Sequence, residues 1–317
     1  MPTPLAGTVA LVTDTTASLP EDWAASAGVD VIPLHVVVGR RSLAEGVDIS
    51  GDEVAALLRE GTEEVTTSSP APGELVELYR EVARRRGAKS IVSVHLSGRI
   101  SRTVESAQLA AAAVRDEVTV TVVDSRTLGL AMGYAVCAGA EAAGAGADAA
   151  EVAGVVKESA AGCSAYFYVD TLEYLRRGGR IGKASALLGG ALAIKPLLTL
   201  ADGEVKPWER VRTQSKAMAR LLAQTVAEVE RHRSAGRTVQ VGVHHCDTRE
   251  RAETFAEAVR THQSSEEGPV AWAVDVVDLG AVLAVHTGPG TLAVVVSPGL
   301  PTAAGAAAST SPGATGS

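Results

Sequence analysis

Hydrophobic residues recur along the first half of the chain in two alternating patterns. Short β-branched runs cover residues 8–13, 30–38, 90–96 and 118–124. Segments with an apolar residue every three or four positions lie between most of them, at residues 52–60, 73–86 and 102–115. Strands that alternate with helices in this way predict an α/β fold with a parallel sheet.

A long stretch of small residues precedes the second unit of the chain. Residues 129–162 consist almost entirely of Ala, Gly, Val and Glu, which predicts two helices joined near Gly144 and Gly146. A strand-like run at 165–169 then opens a second unit, in which an ADGEV turn joins two strands as a hairpin. We place the domain boundary near residue 160, which gives domains at 1–160 and 161–300. The Ala-, Gly- and Ser-rich residues 303–317 are predicted to be a disordered tail.

Length and composition narrow the function classes. The chain has 317 residues, which suggests about two domains. Its net charge of -8 argues against broad nucleic-acid binding, which requires a basic surface. Three cysteines far apart in sequence indicate a reducing compartment. Because neither a signal peptide nor a long charge-free apolar segment is visible, we expect a soluble cytoplasmic protein.

Clusters of hydroxyl groups follow several predicted strands. They lie at 14–16, 66–69, 97–103 and 124–125, where strand-to-helix turns of a parallel sheet would share one edge. Helix N-termini at such an edge favour an anion, although Ser, Thr and Asp are also common helix caps. The turn at 286–290, His-Thr-Gly-Pro-Gly, adds a histidine and a second backbone setting suited to an anion.

Two other clusters suggest chemistry less strongly. The run His-His-Cys-Asp at 244–247 contains metal-ligand residue types, but adjacent strand residues point to opposite faces and no partner cluster follows, so we predict no metal site. The basic turn 176–183 lacks the spacing and the hydroxyl of a phosphate-binding P-loop. It is either a solvated turn or a docking site for a partner.

An ordered set of short motifs resembles the DegV family from about residue 9 to residue 297. The motifs are Asp-Thr-Thr-Ala-Ser-Leu-Pro at 14–20, Ile-Pro-Leu at 32–34, Thr-Ser-Ser-Pro at 67–70, Asp-Ser at 124–125, Leu-Arg-Arg-Gly-Gly-Arg-Ile at 175–181, Lys-Pro at 195–196, Arg-Val-Arg-Thr at 210–213 and the His-Thr-Gly-Pro-Gly turn. Each motif alone is weak, but their order is specific.

The resemblance implies a two-domain α/β fold, with a mainly parallel sheet in the first domain and a mixed sheet in the second. One long-chain fatty acid would occupy a tunnel between the domains. Better understood relatives are the binding subunits of bacterial fatty-acid kinase, which present the carboxylate to a separate ATP-binding kinase. The chain itself would then need no cofactor, would have no turnover alone, and would contact membranes peripherally to exchange lipid.

Residues of this chain that match the family motifs receive expected roles. The head-group site would consist of Thr67, Ser68, Ser97 and His286. The docking surface for the kinase would consist of Arg176, Arg177, Arg180 and Lys183.

One loop departs from the family pattern Leu-Ser-Ser-Gly-x-Ser-Gly-Thr. Residues 96–103 here read Leu-Ser-Gly-Arg-Ile-Ser-Arg-Thr, so Gly98 replaces the serine that holds the carboxylate. Either Ser97 substitutes after a loop shift, or Arg99 pairs with the head group directly, with Ser101 as a further head-group or loop residue. Arg102 replaces the second glycine.

Two other functions remain open at this stage. One is a lipid transporter or sensor without a kinase partner. The other is an acyl hydrolase that uses Ser97 or Ser101 with His286, which is disfavoured because the chain lacks a nucleophile-elbow motif.

Overall fold

The computed structural model describes residues 9–187, 194–264 and 272–299. Its strands are β1 (Val9–Asp14), β2 (Val29–Ile32), β3 (His35–Val38), β4 (Arg41–Ala44), β5 (Val65–Ser68), β6 (Ser90–His95), β7 (Thr119–Asp124), β8 (Ser164–Tyr168), β9 (Lys195–Ala201), β10 (Glu204–Val211), β11 (Val239–His245), β12 (Trp272–Asp278) and β13 (Leu292–Pro298). Its α-helices are α1 (Glu21–Ala27), α2 (Gly51–Glu60), α3 (Pro72–Arg86), α4 (Thr103–Ala113), α5 (Leu130–Gly144), α6 (Ala149–Gly162), α7 (Glu173–Arg177), α8 (Gln214–Ser234), α9 (Arg249–Ser264) and α10 (Ala281–Thr287).

A four-stranded parallel sheet forms the first part of the molecule, in the order β2-β1-β6-β7. Its central strand β1 is buried along its whole length. Ala10 and Val12 pack against α3 and α4 on one face, while Val9 and Leu11 pack against α5 and α6 on the other. Burial on both faces explains why this strand is continuously apolar.

A small antiparallel sheet, β4-β3-β5, corrects two sequence predictions. The run 30–38 was expected to be one strand, but it divides at Pro33 and Leu34 into β2 and β3, which belong to different sheets. Proline lacks an N–H group and cannot complete a ladder there. The hydroxyl cluster at 66–69 was expected at the edge of the parallel sheet, but residues 66–68 lie in β5 of the small sheet.

A six-stranded mixed sheet forms the second part, in the order β10-β9-β8-β13-β11-β12. The pair β11–β12 is parallel and the other pairs are antiparallel. The predicted hairpin is present as β9 and β10. Helices α8 and α9 pack on one face of this sheet, in a cluster with Leu197, Leu221 and Phe255.

Elements from the two parts of the chain pack against each other. Helix α5 contacts both β1 and β13, and α10 packs on α2, β3 and β5. The parallel sheet in the first part and the mixed sheet in the second confirm the predicted fold class. The boundary near residue 160 stays a prediction, and the predicted tail 303–317 lies outside the described residues.

Candidate functional site

An apolar cavity lies between the six-stranded sheet and the elements that face it, chiefly α10, β5 and the segment 96–101. The cavity has a volume of about 110 Å³. Much of the lining is aliphatic or aromatic, as in Leu96, Ile100, Phe167, Leu200, Leu283 and Val295.

The register of the sheet explains the apolar floor of this cavity. Phe167 lies opposite Ala293, which lies opposite His244 on its other side. Two residues along the strands, Ala165 lies opposite Val295. Because directly opposed residues point to the same face, these residues form two successive rows of cavity-lining positions. Small side chains in these rows leave space for a ligand.

Hydroxyl groups and a histidine gather at one end of the cavity. The Thr67 hydroxyl lies 2.8 Å from Nε2 of His286, although the two residues are far apart in sequence. Beside them, the Ser69 hydroxyl lies 3.3 Å from that of Ser101, which in turn lies 2.8 Å from that of Thr103. A hydrogen-bonding patch therefore ends an otherwise apolar space.

Further hydroxyls border the same end. Ser68, which is exposed, lines the cavity together with Thr287 and Thr291. The structure thus brings Thr67, Ser68, Ser101 and His286 of the sequence-predicted residues to one cavity.

His286 is positioned by its close contact with Gly178. His286 lies in the last turn of α10, and a Cβ on Gly178 would lie 2.2 Å from its Nδ1. The helix ends at Gly288, where φ is +79° and a Cβ would lie 2.1 Å from the ring of Tyr174. The two glycine-containing motifs therefore pack against each other because neither has a side chain at the contact.

Burial makes the histidine neutral. The pKa of His286 is lowered to about 4, mainly by burial and also by the positive charge of Arg180. Near pH 7 the ring therefore carries one N–H donor and one acceptor nitrogen. Its Nδ1 is buried and has no hydrogen-bond partner among the described residues.

Arg180 borders the cavity as well, although it was expected on the kinase-facing surface. Its Nε donates to the main-chain oxygen of Ile100 at 3.0 Å and its guanidinium also donates to that of Gly178 at 2.6 Å. Half-buried in this position, Arg180 provides a positive charge near the hydroxyl patch.

Ser97 and Arg99 are engaged away from the hydroxyl patch. Ser97 is fully buried and its hydroxyl donates to the main-chain oxygen of Gly203 at 2.8 Å. Arg99 forms an ion pair with Glu204 at 2.9 Å. The loop after β6 therefore uses both residues to hold the turn between β9 and β10, and this placement does not support the expected head-group role of either.

The remaining docking residues lie on the surface. Arg176, Arg177 and Lys183 are exposed. Both arginines pair with Glu173 at 2.7 Å, and these hydrogen bonds lower the pKa of that carboxyl to about 2. Glu173 thus neutralises part of the basic turn.

His244, in the run 244–247 for which the sequence predicted no site, lines the cavity. Its Nε2 accepts a 2.9 Å hydrogen bond from the main-chain N–H of Leu130, and burial lowers its pKa to about 4. The only signal in the sequence was a histidine within a buried apolar run. Among the described residues, no His, Cys, Asp or Glu cluster has a metal-binding arrangement.

The hydroxyls proposed for a hydrolase have other partners. Ser101 contacts Ser69 and Thr103, and Ser97 contacts Gly203, whereas the hydroxyl beside His286 is that of Thr67. A serine–histidine–aspartate chain does exist at Ser93, His95 and Asp14, but all three side chains are fully buried. A substrate has no access to it.

In the part of the chain that the structure describes, no helix combines the length and the apolar character needed to cross a membrane.

Comparisons with known proteins agree with this architecture. A DegV domain-containing protein of Streptomyces coelicolor is 45% identical over 289 residues, which cover 91% of this chain and 98% of that protein. A DegV family protein from Thermus thermophilus, described for its fatty acid binding, has a TM-score of 0.80 and 35% identity, with 92% of this chain and 99% of that chain covered. DegV from Bacillus subtilis, described as a fatty acid binding protein, has a TM-score of 0.81 and 29% identity, with coverage of 92% and 100%.

The sequence profile of the family described as "Uncharacterised protein, DegV family" matches residues 8–299, almost the whole described chain. The chain therefore belongs to the DegV family.

Proposed function

We propose that this protein binds one long-chain fatty acid and presents its carboxylate to a separate ATP-dependent kinase, which forms an acyl-phosphate. The observation that carries the proposal is the Thr67–His286 pair at the polar end of an apolar cavity. The fatty acid binding described for the relatives from Thermus thermophilus and Bacillus subtilis supports it.

The acyl chain supplies the affinity. Each methylene removed from water contributes about 0.8 kcal/mol, and the rows around Phe167 and Ala165 offer an apolar surface for many of them. An apolar cavity of this kind favours a long unbranched tail over a polar substrate of the same volume.

The polar end fixes the carboxylate without enclosing it in a tight ion pair. Thr67, Ser69 and Ser101 offer hydroxyl donors, and Nε2–H of His286 donates to the Thr67 oxygen, which leaves the Thr67 proton for the carboxylate. Arg180 adds a positive charge while its guanidinium stays bonded to main-chain oxygens. A carboxylate held in this way keeps an oxygen available to attack the terminal phosphate of ATP.

The kinase contacts the chain at the basic turn. Arg176, Arg177 and Lys183 are exposed on the same short segment that carries Gly178 and Arg180. A partner bound there would lie close to the carboxylate end of the cavity. Catalysis resides in the partner, and this chain by itself does not turn over.

A direct test starts from the freshly purified protein, analysed by native mass spectrometry and solvent extraction. We expect about one fatty acid per chain. After delipidation, Thr67→Val and His286→Ala should each weaken fatty-acid binding about tenfold or more, since the first removes a hydrogen bond to the carboxylate and the second removes the ring that orients the Thr67 hydroxyl. Titration calorimetry with hexadecanoic acid measures this.

Thr66→Val is the matched control, because Thr66 precedes Thr67 on β5, points to the opposite face and is exposed. The Thr66→Val variant should bind hexadecanoic acid with the same affinity as the parent protein. A protein that neither carries nor takes up fatty acids would refute the binding proposal. Binding without acyl-phosphate formation, after addition of ATP and the kinase subunit of a bacterial fatty-acid kinase, would refute the kinase role and favour lipid transport or sensing.

A further inference from the structure

A polar cleft adjoins the cavity at Ala165, Tyr166 and Leu200. This distal cleft is lined by Arg126, Thr127, Lys157, Ser164, Thr199 and Asp202. It lies between the C-terminal half of α6, the loop after β7 and the turn between β9 and β10.

The distal cleft and the cavity share part of their walls. Ala165, Tyr166 and Leu200 border both spaces. The chain also passes directly from one to the other, because Thr127 lines the cleft and Leu128 lines the cavity. The smallest of the shared side chains is Ala165, which leaves the least obstruction between the two spaces.

The strand register gives the distance along the cavity floor between Thr291 and Ala165. Thr291 lines the cavity just before β13, and Val295, four residues further on, lies opposite Ala165, which borders both spaces. Four strand residues at about 3.4 Å each span about 14 Å. An extended acyl chain on this floor therefore runs toward Ala165.

The acidic groups around the distal cleft are already engaged. The Asp124 carboxylate accepts the main-chain N–H groups of Gly98 and Arg126, at 3.2 and 2.8 Å. Asp202 pairs with Lys206, and Glu204 pairs with Arg99. Main-chain hydrogen bonds thus satisfy Asp124, and a cation pairs with each of the other two carboxylates.

Two basic groups of the cleft are not compensated in the same way. Lys157 and Arg126 are exposed, and neither forms an ion pair within 9–187, 194–264 and 272–299, although the charge of Arg126, after that of Lys206, helps to lower the pKa of Asp202. The guanidinium of Arg126 donates to the main-chain oxygen of Asp202 at 3.1 Å, which orients it across the cleft. An anionic group that entered the distal cleft beside Ala165 would lie near both Lys157 and Arg126.

We propose that the cavity opens at Ala165 into the distal cleft and accepts acyl ligands with a second carboxylate at the far end, that is, long-chain α,ω-dicarboxylic acids. The first carboxylate occupies the hydroxyl patch and the second lies near Lys157 and Arg126. This inference rests on the proposed fatty-acid binding and extends it to a second ligand class.

The test compares hexadecanoic acid with dicarboxylic acids of 12 to 18 carbons, by calorimetry on the delipidated full chain. An ionised carboxylate buried in a closed apolar pocket would weaken binding more than a hundredfold. With the far end open, at least one dicarboxylic acid should bind within about tenfold of hexadecanoic acid.

Two variants locate the second carboxylate. Lys157→Glu should weaken binding of the best dicarboxylic acid about two- to tenfold and leave hexadecanoic acid unchanged. Ala165→Leu should obstruct the opening and reduce dicarboxylic acid binding more strongly. Lys216→Glu, at an exposed lysine of α8, is the matched control and should change neither affinity.

The outcomes separate the two proposals. If hexadecanoic acid fails to bind, the proposed function is wrong. If hexadecanoic acid binds but every dicarboxylic acid is more than a hundredfold weaker, the opening at Ala165 is wrong. Equal effects of Lys157→Glu and Lys216→Glu on dicarboxylic acid affinity would overturn the role of the cleft.

Discussion

At the scale of single residues, Gly178 matters because of the space that it leaves. Its φ is not in the left-handed region, so backbone conformation does not require glycine there. The requirement comes from His286, whose Nδ1 occupies the position that a side chain would need. The contact with His286, which is distant in sequence, is therefore the reason that position 178 requires glycine.

We predict that Gly178→Ala impairs head-group binding. The added methyl group must displace the His286 ring or move α7, and overpacking of this kind costs about 1–3 kcal/mol. Loss of the Thr67–His286 contact should weaken fatty-acid affinity about tenfold, measured by calorimetry on delipidated protein.

Gly154→Ala provides the control for this substitution. Gly154 lies within α6, and a Cβ there would meet nothing within 4 Å. The variant should keep full affinity and gain up to about 1 kcal/mol of stability from helix propensity. If Gly178→Ala also kept full affinity, the close approach to His286 would have no role in binding.

At the scale of elements, a buried chain of hydrogen bonds joins α3 to the ends of β6 and β1. The Tyr79 hydroxyl donates to Ser93 at 2.8 Å, Ser93 lies 2.8 Å from Nε2 of His95, and Nδ1 of His95 lies 2.9 Å from Asp14. Burial raises the pKa of Tyr79 to about 12, so its hydroxyl stays a donor. Asp14 also accepts the main-chain N–H of Leu96 at 3.2 Å, at the start of the cavity-lining loop.

We predict that Asp14→Ala destabilises the protein by about 3–5 kcal/mol, because buried donors on β6 and in the turn after β1 lose their acceptor. Urea unfolding followed by circular dichroism measures the change. Asp116→Ala, at a carboxylate that is 92% exposed, should stay within about 0.5 kcal/mol of the parent. A loss below about 1 kcal/mol for Asp14→Ala would show that water replaces the carboxylate.

Hydrophobic periodicity predicted most elements because each depends mainly on its own sequence. The small-residue helices near 129–162 and the hairpin at β9–β10 were foreseen from local pattern. The antiparallel sheet formed by β3, β4 and β5 was not. Its strands are only four residues long, and pairing with distant partners defines them more than their own composition does.

At the scale of the whole molecule, the cavity depends on packing between two sheets and on neutral histidines in its wall. His244 and His286 both have a pKa near 4, far below the ordinary value of 6.5, chiefly because of burial. Between pH 4 and pH 6.5, the unfolded chain therefore binds more protons than the folded protein. The free energy of unfolding rises with pH through this window and falls on acidification.

We predict a loss of about 2 kcal/mol per histidine between pH 7 and pH 5 for the ligand-free protein. Urea unfolding at the two pH values measures it. In His286→Gln, the difference between the two pH values should be smaller by about that amount, since one titrating group is removed. An unchanged difference would mean that His286 is not neutral in the fold.

Bound fatty acid should raise the pKa of His286, whereas burial lowers it. A carboxylate beside His286 favours the protonated ring and raises its pKa. The free energy of unfolding should therefore fall less between pH 7 and pH 5 for the loaded protein than for the delipidated protein. Urea unfolding of both forms at the two pH values measures the difference.

The sequence by itself determined the alternation of strands and helices, the α/β class and the family, because periodicity and ordered motifs are carried by neighbouring residues. It also predicted Thr67, Ser68, Ser101 and His286 as site residues, and these four side chains line one cavity. Only the tertiary structure decided that Ser97 and Arg99 hold the β9–β10 turn, that Arg180 borders the cavity and that His244 lines its floor. These roles depend on which distant backbone or side-chain group lies within hydrogen-bonding distance, and packing of separate elements creates that proximity.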